Sequence, residues 1–196
     1  MIGELREIGR FPVKSMLGES PERATVVATG IAGDRTHALV DASTGKVASA
    51  KHPRLWGGLL AYRAIRLEGS GQVEITLPDG GTIRSDDPDA DDRLSAAVGR
   101  AVHLRSAPSP DGLYDYVWEV EDIAPTEVVT GSQTGVTDDG HKLSAMPMAV
   151  MAPGTYQDVA PITIMTTAAL AAMARRHPEG RWEQPRFRNN LLLDVP

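Results

Sequence analysis

Basic and hydroxyl side chains fall at a few marked corners of this sequence, and their types suit the holding of an anion. Pro12-Val13-Lys14-Ser15 puts an ammonium beside a hydroxyl, just after a stretch that reads as a strand. A lysine point charge next to a hydroxyl donor is a common way to hold phosphate. Gly33-Asp34-Arg35 follows a second strand-like run, and Gly30 and Gly33 bracket Ile31-Ala32, so a tight turn presents Arg35 while Asp34 orients it through a salt bridge. The loop Ser49-Ala50-Lys51-His52-Pro53-Arg54 adds further bases. Near the end, Arg186-Phe187-Arg188-Asn189-Asn190 leads into an apolar run. Guanidinium forks and an amide at a strand entrance suit a phosphate, or a ligand with an amide edge. Singly, each feature has an ordinary structural reading: a solvated Lys-Ser loop, a hairpin corner with an exposed ion pair worth about 0–1 kcal/mol, a basic turn that keeps a last strand soluble. Together, Lys14, Ser15, Arg35, Arg188 and Asn190 are expected to form one binding set for an anionic, phosphate-bearing ligand.

Other chemistries find less support. There is no cysteine among the 196 residues, which removes disulfides, a thiolate nucleophile and thiolate metal ligands within this sequence. The histidines His37, His52, His103, His141 and His177 never fall at metal-ligand spacing, and no Ser-His-Asp pattern surrounds them. No catalytic residue and no metal ligand is assigned. Met146, Met148 and Met151 read as adaptable packing. The formal charge of −6, from 26 acids against 20 bases, argues against non-specific binding to nucleic acid or anionic membranes. The N-terminus carries acids and lacks a signal-like apolar stretch, and no run approaches the ~20 apolar residues that span a bilayer. The expected location is cytoplasmic, and the expected partner a small-molecule ligand or substrate.

Strands must position these corners. Leu5 to Phe11, Arg23 to Thr29, Thr36 to Ala42, Lys46 to Ala50, Leu59 to Leu67, Val73 to Leu77 and Thr82 to Ser85 are short runs divided by Gly, Pro, Ser or Asp turns. Strands this short and this dense suggest an antiparallel barrel or sandwich. Asp89 to Gly99 reads as an amphipathic helix, with acids in its first turn, Leu94 and Val98 four apart, and Gly99 as its stop. Val102 to Arg105 returns to strand. From 107 to 160 the pattern is weak, with Tyr114 to Val120 as one candidate strand, and it reads as a long connection. Order resumes with Pro161 to Met165, a helix from Thr166 to His177 with a capping threonine and basic last turn, and a strand over Leu191 to Val195.

The order of anchors resembles the MOSC family. A strand followed by PVKS, then GDR, a hairpin and an SAK-PRL loop is similar to the β-barrel that precedes a MOSC domain. PITIMT at 161–166, the Ala-Leu-rich helix and then RFRNNL at 186–191 look like the entry to the MOSC domain itself, where the family has a Ser- or Thr-led helix, FRPN and an apolar strand. The resemblance implies a mostly β protein with α+β character: an antiparallel barrel over 1–106, the connection at 107–160, an incomplete second barrel over 161–196, and two main helices. An incomplete barrel leaves an open edge, which a homodimer would cover along the last strand.

The resemblance also implies a molybdenum cofactor and an enzyme of an oxidoreductase lineage, as in the amidoxime-reducing and N-hydroxylated-base-detoxifying members, or of a sulfur-transfer lineage. Lys14, Ser15 and Arg35 would hold the pterin phosphate, Lys51 would lie beside it, and Thr166, Arg188 and Asn190 would contact phosphate or pterin. A reductase would also need a redox partner protein. Three positions depart from the family pattern. The metal-binding cysteine of the reductase type is missing, Asn189 stands where proline is usual, and Ala169 replaces a frequent hydroxyl residue. The missing thiolate keeps a second reading open: a metal-free small-molecule-binding barrel that reuses the same cleft. A cofactor-handling protein without catalysis is a third.

Overall fold

The computed structural model describes residues 3–106, 108, 111–118, 133–147, 154–158 and 160–195. The chain opens with β1 (Glu4–Ile8), then β2 (Val26–Val27), β3 (Gly30–Ile31) and β4 (Ala38–Asp41). One helical turn, α1 (Pro53–Trp56), runs into a 3-10 turn at Gly57–Ala61. A meander of β5 (Arg63–Arg66), β6 (Val73–Thr76) and β7 (Thr82–Arg84) follows, then helix α2 (Ala90–Val98) and β8 (Val102–Arg105). The meander shows why these residues make strands. Val73, Ile75 and Ile83 point inward and are fully buried, while Glu74 and Arg84 alternate outward. Leu94 of α2 closes the same core with Val13, Met16, Leu39, Leu59 and Val102. Gly99 ends α2 in the left-handed conformation, the stop read from the sequence.

The stretch read as a connection carries strands of its own. β9 (Leu113–Trp118), β10 (Gln133–Val136) and β11 (Lys142–Pro147) pair antiparallel in the order β10-β11-β9. Val47 bridges to Val40 on one side and Tyr114 on the other, so β8, β4, β9, β11 and β10 join into one sheet. The expected strand at Tyr114 to Val120 is thus present through Trp118, and Glu119 and Val120 lie outside the described residues, as do Met148 and Met151. Met146 packs on a small cluster of Ala38, Val47, Tyr114 and Tyr156, the gap-filling role expected of it.

The third sheet joins the two ends of the chain. β12 (Ile164–Thr166) leads into helix α3 (Thr167–Arg176), and β13 (Leu191–Asp194) lies between β1, antiparallel, and β12, parallel. The last strand therefore has neighbours on both sides, and among the described residues the edges of this sheet are β1 and β12. The open edge expected on the last strand is not there for a second copy to cover.

Other expectations need correction. The run Leu59 to Leu67 is strand only from Arg63; its first half continues the helical turn begun at Pro53, burying Leu59 and Tyr62 and leaving Leu60 exposed, a spacing near three rather than two. Arg23 to Thr29 supplies only the two-residue β2, whose valines are both exposed. Adjacent valines face opposite sides of a strand, and this corner has no core on either side to bury them. Overall the chain is mostly β with helices, of mixed α+β character, and among the described residues no sheet closes into a barrel. No helix among them is long and apolar enough to cross a membrane.

Candidate anion-binding site

Two segments separated in sequence are laid side by side by the backbone. Arg35 N donates to Phe11 O (2.8 Å), His37 N to Pro12 O (3.0 Å), and Lys14 N to His37 O (2.8 Å). Pro12-Val13-Lys14 thus runs parallel to Arg35-Thr36-His37, with a bridge at Val13 and His37. Pro12 has no N–H to give, so it serves this ladder only as acceptor. At Ser15 the chain turns sharply, and its hydroxyl oxygen accepts from Ala50 N (2.9 Å), which draws the Lys51 loop to the same place. From the far end of the chain, Arg188 Nε donates to Met16 O (3.0 Å).

The only non-glycine residues with positive φ among the described residues are Ser15 (65°), Arg35 (46°) and Arg188 (49°). Such conformations cost of order 1–3 kcal/mol each and persist where the surroundings dictate them, which is often at functional sites. All three are among the residues whose types and spacing in the sequence suit an anion site. Gly33, at φ 86°, makes the Arg35 turn possible, and a side chain there would also strike Arg66.

Around these corners lie two polar clusters. The first centres on Asp34, which is only 1% exposed. Its Oδ1 accepts from Phe11 N (2.7 Å); its Oδ2 accepts from Gln157 Nε2 (3.0 Å), Asn190 Nδ2 (3.0 Å) and the Arg35 guanidinium. Arg35 also donates to Arg188 O (2.9 Å). The ion pair between Asp34 and Arg35 is therefore buried, not the exposed corner pair of the ordinary sequence reading. Asn190, with no exposed surface, donates to Gly9 O (3.1 Å) and accepts from Thr163 N (3.1 Å) and Thr163 Oγ1 (3.2 Å). Gly9 allows this closeness, since a side chain there would meet Asn189 O. The Asn190 amide is thus fully used in clamping β1, the β12 approach and the Asp34 turn together.

The second cluster contains Lys14, Lys51, Asp158 and Arg188. The Lys14 ammonium is buried, bonded to the Asp158 carboxylate and to Tyr156 O (3.3 Å), and lies 4.8 Å from the Tyr114 ring centre. Lys51 Nζ reaches the other Asp158 oxygen at 3.1 Å and lies between the Tyr114 and Tyr116 rings at 5.1 and 5.0 Å. The guanidiniums of Arg188 and Arg35 both rest on Phe11, at 5.0 and 4.9 Å. Burial pulls the Lys14 ammonium down to about 8 despite the attraction of Asp158, with Lys51 and Arg188 pushing the same way as burial. Burial and then the neighbouring Arg35 bring Arg188 down to about 10. Burial works against the charge on Asp158, but Lys14 and Lys51 prevail and hold its carboxyl below the usual range. Arg188 Nη2 is buried with no acceptor; among the described residues His52 Nδ1 and the Tyr156 hydroxyl are the other such side-chain atoms. An unpaired guanidinium nitrogen near a buried ammonium, Lys14, and a half-buried one, Lys51, is a donor set for an anion.

Of the sequence-derived residues, Lys14, Ser15, Arg35, Lys51, Arg188 and Asn190 are brought to this one region. Thr166 is used differently: its hydroxyl caps α3, accepting from Ala169 N (3.0 Å). Asn189, in the usual place of proline, is buried and braced by bonds to Leu191 O (3.0 Å) and from Gln184 (3.3 Å), so side-chain hydrogen bonds fix the turn that a proline ring would fix. The residue that sequence reasoning missed is Asp158. Its only local signal is the polar grouping Tyr156-Gln157-Asp158 just ahead of the patterned segment.

No curated protein matches the chain. The family model of the MOSC N-terminal beta barrel domain, however, matches residues 2–111, more than half of the sequence and the whole of the PVKS and GDR corners, and the chain belongs to that family.

Proposed function

We propose that Lys14, Lys51 and Arg188, framed by the Ser15 and Arg35 turns, bind the phosphate of an anionic ligand. The observation that carries this reading is the buried Arg188 nitrogen left without an acceptor, next to a lysine that burial holds at a disadvantage. Leaving such a donor unpaired costs about 1–3 kcal/mol or more, and a phosphate oxygen would remove that cost. The MOSC resemblance implies that the phosphate belongs to the pterin of a molybdenum cofactor. The residues present fit that end of the group: charge-assisted donors converge where a dianion would lie. They do not supply its other end. The sequence offers no thiolate, and among the described residues no three His, Asp or Glu side chains converge as metal ligands. The bound cofactor would bring molybdenum redox chemistry; what this chain's own residues do is bind and orient the phosphate.

The missing thiolate favours keeping a second reading, in which the same grip holds a phosphate-bearing small molecule without metal. Calorimetric titration with sulfate and inorganic phosphate tests the shared part. Arg188→Ala should weaken both anions by roughly tenfold to a hundredfold, the loss of one hydrogen bond to a charged group, about 1.5–3 kcal/mol. Equal affinity in the variant and the native protein rejects the site. Mass spectrometry of protein purified from a cofactor-competent host separates the two readings: extractable pterin supports the first, and a phosphate-bearing ligand without pterin the second.

A further inference from the structure

The Asp158 carboxylate bridges Lys14 and Lys51 with one oxygen on each ammonium, as two oxygens of a phosphate would. Its surroundings differ from those of Asp34, the other acid of the region. Asp34 accepts from a backbone N–H, two amides and a guanidinium. Asp158 is held by the two ammoniums alone, with no backbone or amide donor on it among the described residues. A quarter of its side chain is exposed (26%).

The main chain just before Asp158 is fixed. Tyr156 N donates to Arg35 O (2.7 Å), and Gln157 Nε2 donates to Asp34 (3.0 Å) and to Pro161 O (3.1 Å). The one motion the competitor needs is rotation of this short side chain away from the two ammoniums. Three cations, Lys14, Lys51 and Arg188, face this single carboxylate, which leaves the cluster with an excess of positive charge and with Arg188 Nη2 unpaired.

Resting on the reading of this cluster as a phosphate site, we propose that Asp158 is a resident competitor for the incoming anion and sets its selectivity. The carboxylate offsets one of the two lysine charges while no ligand is bound and swings out when a dianion takes its place. A monoanion gains little from the exchange, because it replaces one negative charge with another. A dianion with tetrahedral oxygens reaches both ammoniums and Arg188 at once, and its second charge answers the excess. Asp158 therefore excludes small carboxylates and admits phosphate-like groups. No covalent step is involved.

The test measures sulfate and acetate affinity, by calorimetry and by the rise each gives in unfolding temperature, for the native protein, Asp158→Asn and Asp158→Ser. Removing the competitor should tighten sulfate at least tenfold in both variants and make acetate binding measurable where the native protein shows none. Removal of the carboxylate also leaves two ammoniums facing each other, so sulfate should raise the unfolding temperature of the variants more than that of the native protein, a readout that survives partial loosening of the fold. Weaker or unchanged sulfate affinity in both variants overturns the proposal and makes Asp158 a residue that positions the lysines. If the native protein and both variants all ignore sulfate, the phosphate reading itself fails and the competitor with it. If Arg188→Ala weakens sulfate but the Asp158 variants do not tighten it, only the competitor fails.

Discussion

Two polar clusters meet at the PVKS and GDR corners, joined by the bond from Arg35 to Arg188 O, and they are built on opposite terms. Around Asp34 and Asn190, every donor and acceptor that the side chains offer meets a partner of the fold, from Phe11 N to Gly9 O. Around Lys14, Lys51 and Arg188 the fold leaves a guanidinium nitrogen unpaired, buries a lysine against its preference and supplies one exchangeable carboxylate. Both clusters are charged, buried and carried by residues that look alike in sequence. What separates them is saturation. A saturated cluster holds chain segments together; an unsaturated one has interactions left for something the chain does not contain.

The sharpest way to break this comparison is to damage the saturated side. Asp34→Ala removes the acceptor of four donors and leaves Arg35 charged and uncompensated. We expect a loss of about 3–5 kcal/mol, the usual consequence of removing one partner from a buried pair. Domains commonly have only about 5–15 kcal/mol in total, so urea unfolding followed by tryptophan fluorescence should show a midpoint far below that of the native protein. Retained stability would mean that Asp34 is not the clamp its contacts suggest.

Lys14→Met should do the reverse. The lysine is pulled from 10.5 to about 8 by burial, a lowering that corresponds to roughly 3 kcal/mol against the charged form. Below about pH 8 the folded chain must keep the ammonium in place. Between pH 8 and 10 the folded chain gives up that proton while the unfolded chain still holds it, so native stability climbs with pH over this window. The groups facing Lys14 are Asp158, Lys51, Arg188 and Tyr114, and Asp158 stays charged throughout because its own carboxyl is held low. Lys14→Met should be no less stable than the native protein at pH 7 and should lack the climb. Sulfate binding should move the other way, weakening as pH rises past 8, since sulfate keeps its charge and the site loses one. Stability and sulfate affinity that rise or fall together would remove Lys14 from the site.

The division between the clusters also explains how far the sequence could be read. Pro12, Gly33 and the paired arginines carry strong local signals, because rings, positive-φ glycines and guanidiniums have narrow uses, and all three corners meet as expected. Gly99 and the Leu94–Val98 spacing placed α2 for the same reason. Asp158 carries no such signal. Its meaning lies in contacts to Lys14, far away in the chain, within a stretch where strands β9 to β11 alternate too weakly to stand out. Asn190 was legible as an important amide but not as a clamp: an amide at a strand entrance reads the same whether it faces a ligand or a carbonyl, and only the pairing of β1 with β13 shows that it faces Gly9.

Thr166 gives the smallest and most discriminating test. In the resemblance it would touch the cofactor; in the fold its hydroxyl caps α3 through Ala169 N. Losing a threonine cap costs about 1 kcal/mol, which in a chain of this size lowers the unfolding temperature by roughly 2–4 °C. Thr166→Ala should show that shift and leave sulfate and phosphate affinities where they were, since neither Lys14, Lys51 nor Arg188 depends on it for a hydrogen bond among the described residues. Thr166→Ser, which keeps the capping oxygen, should restore the temperature. A tenfold loss of anion affinity in Thr166→Ala, with stability unchanged, would instead extend the unsaturated cluster to the start of α3 and redraw the boundary between the two.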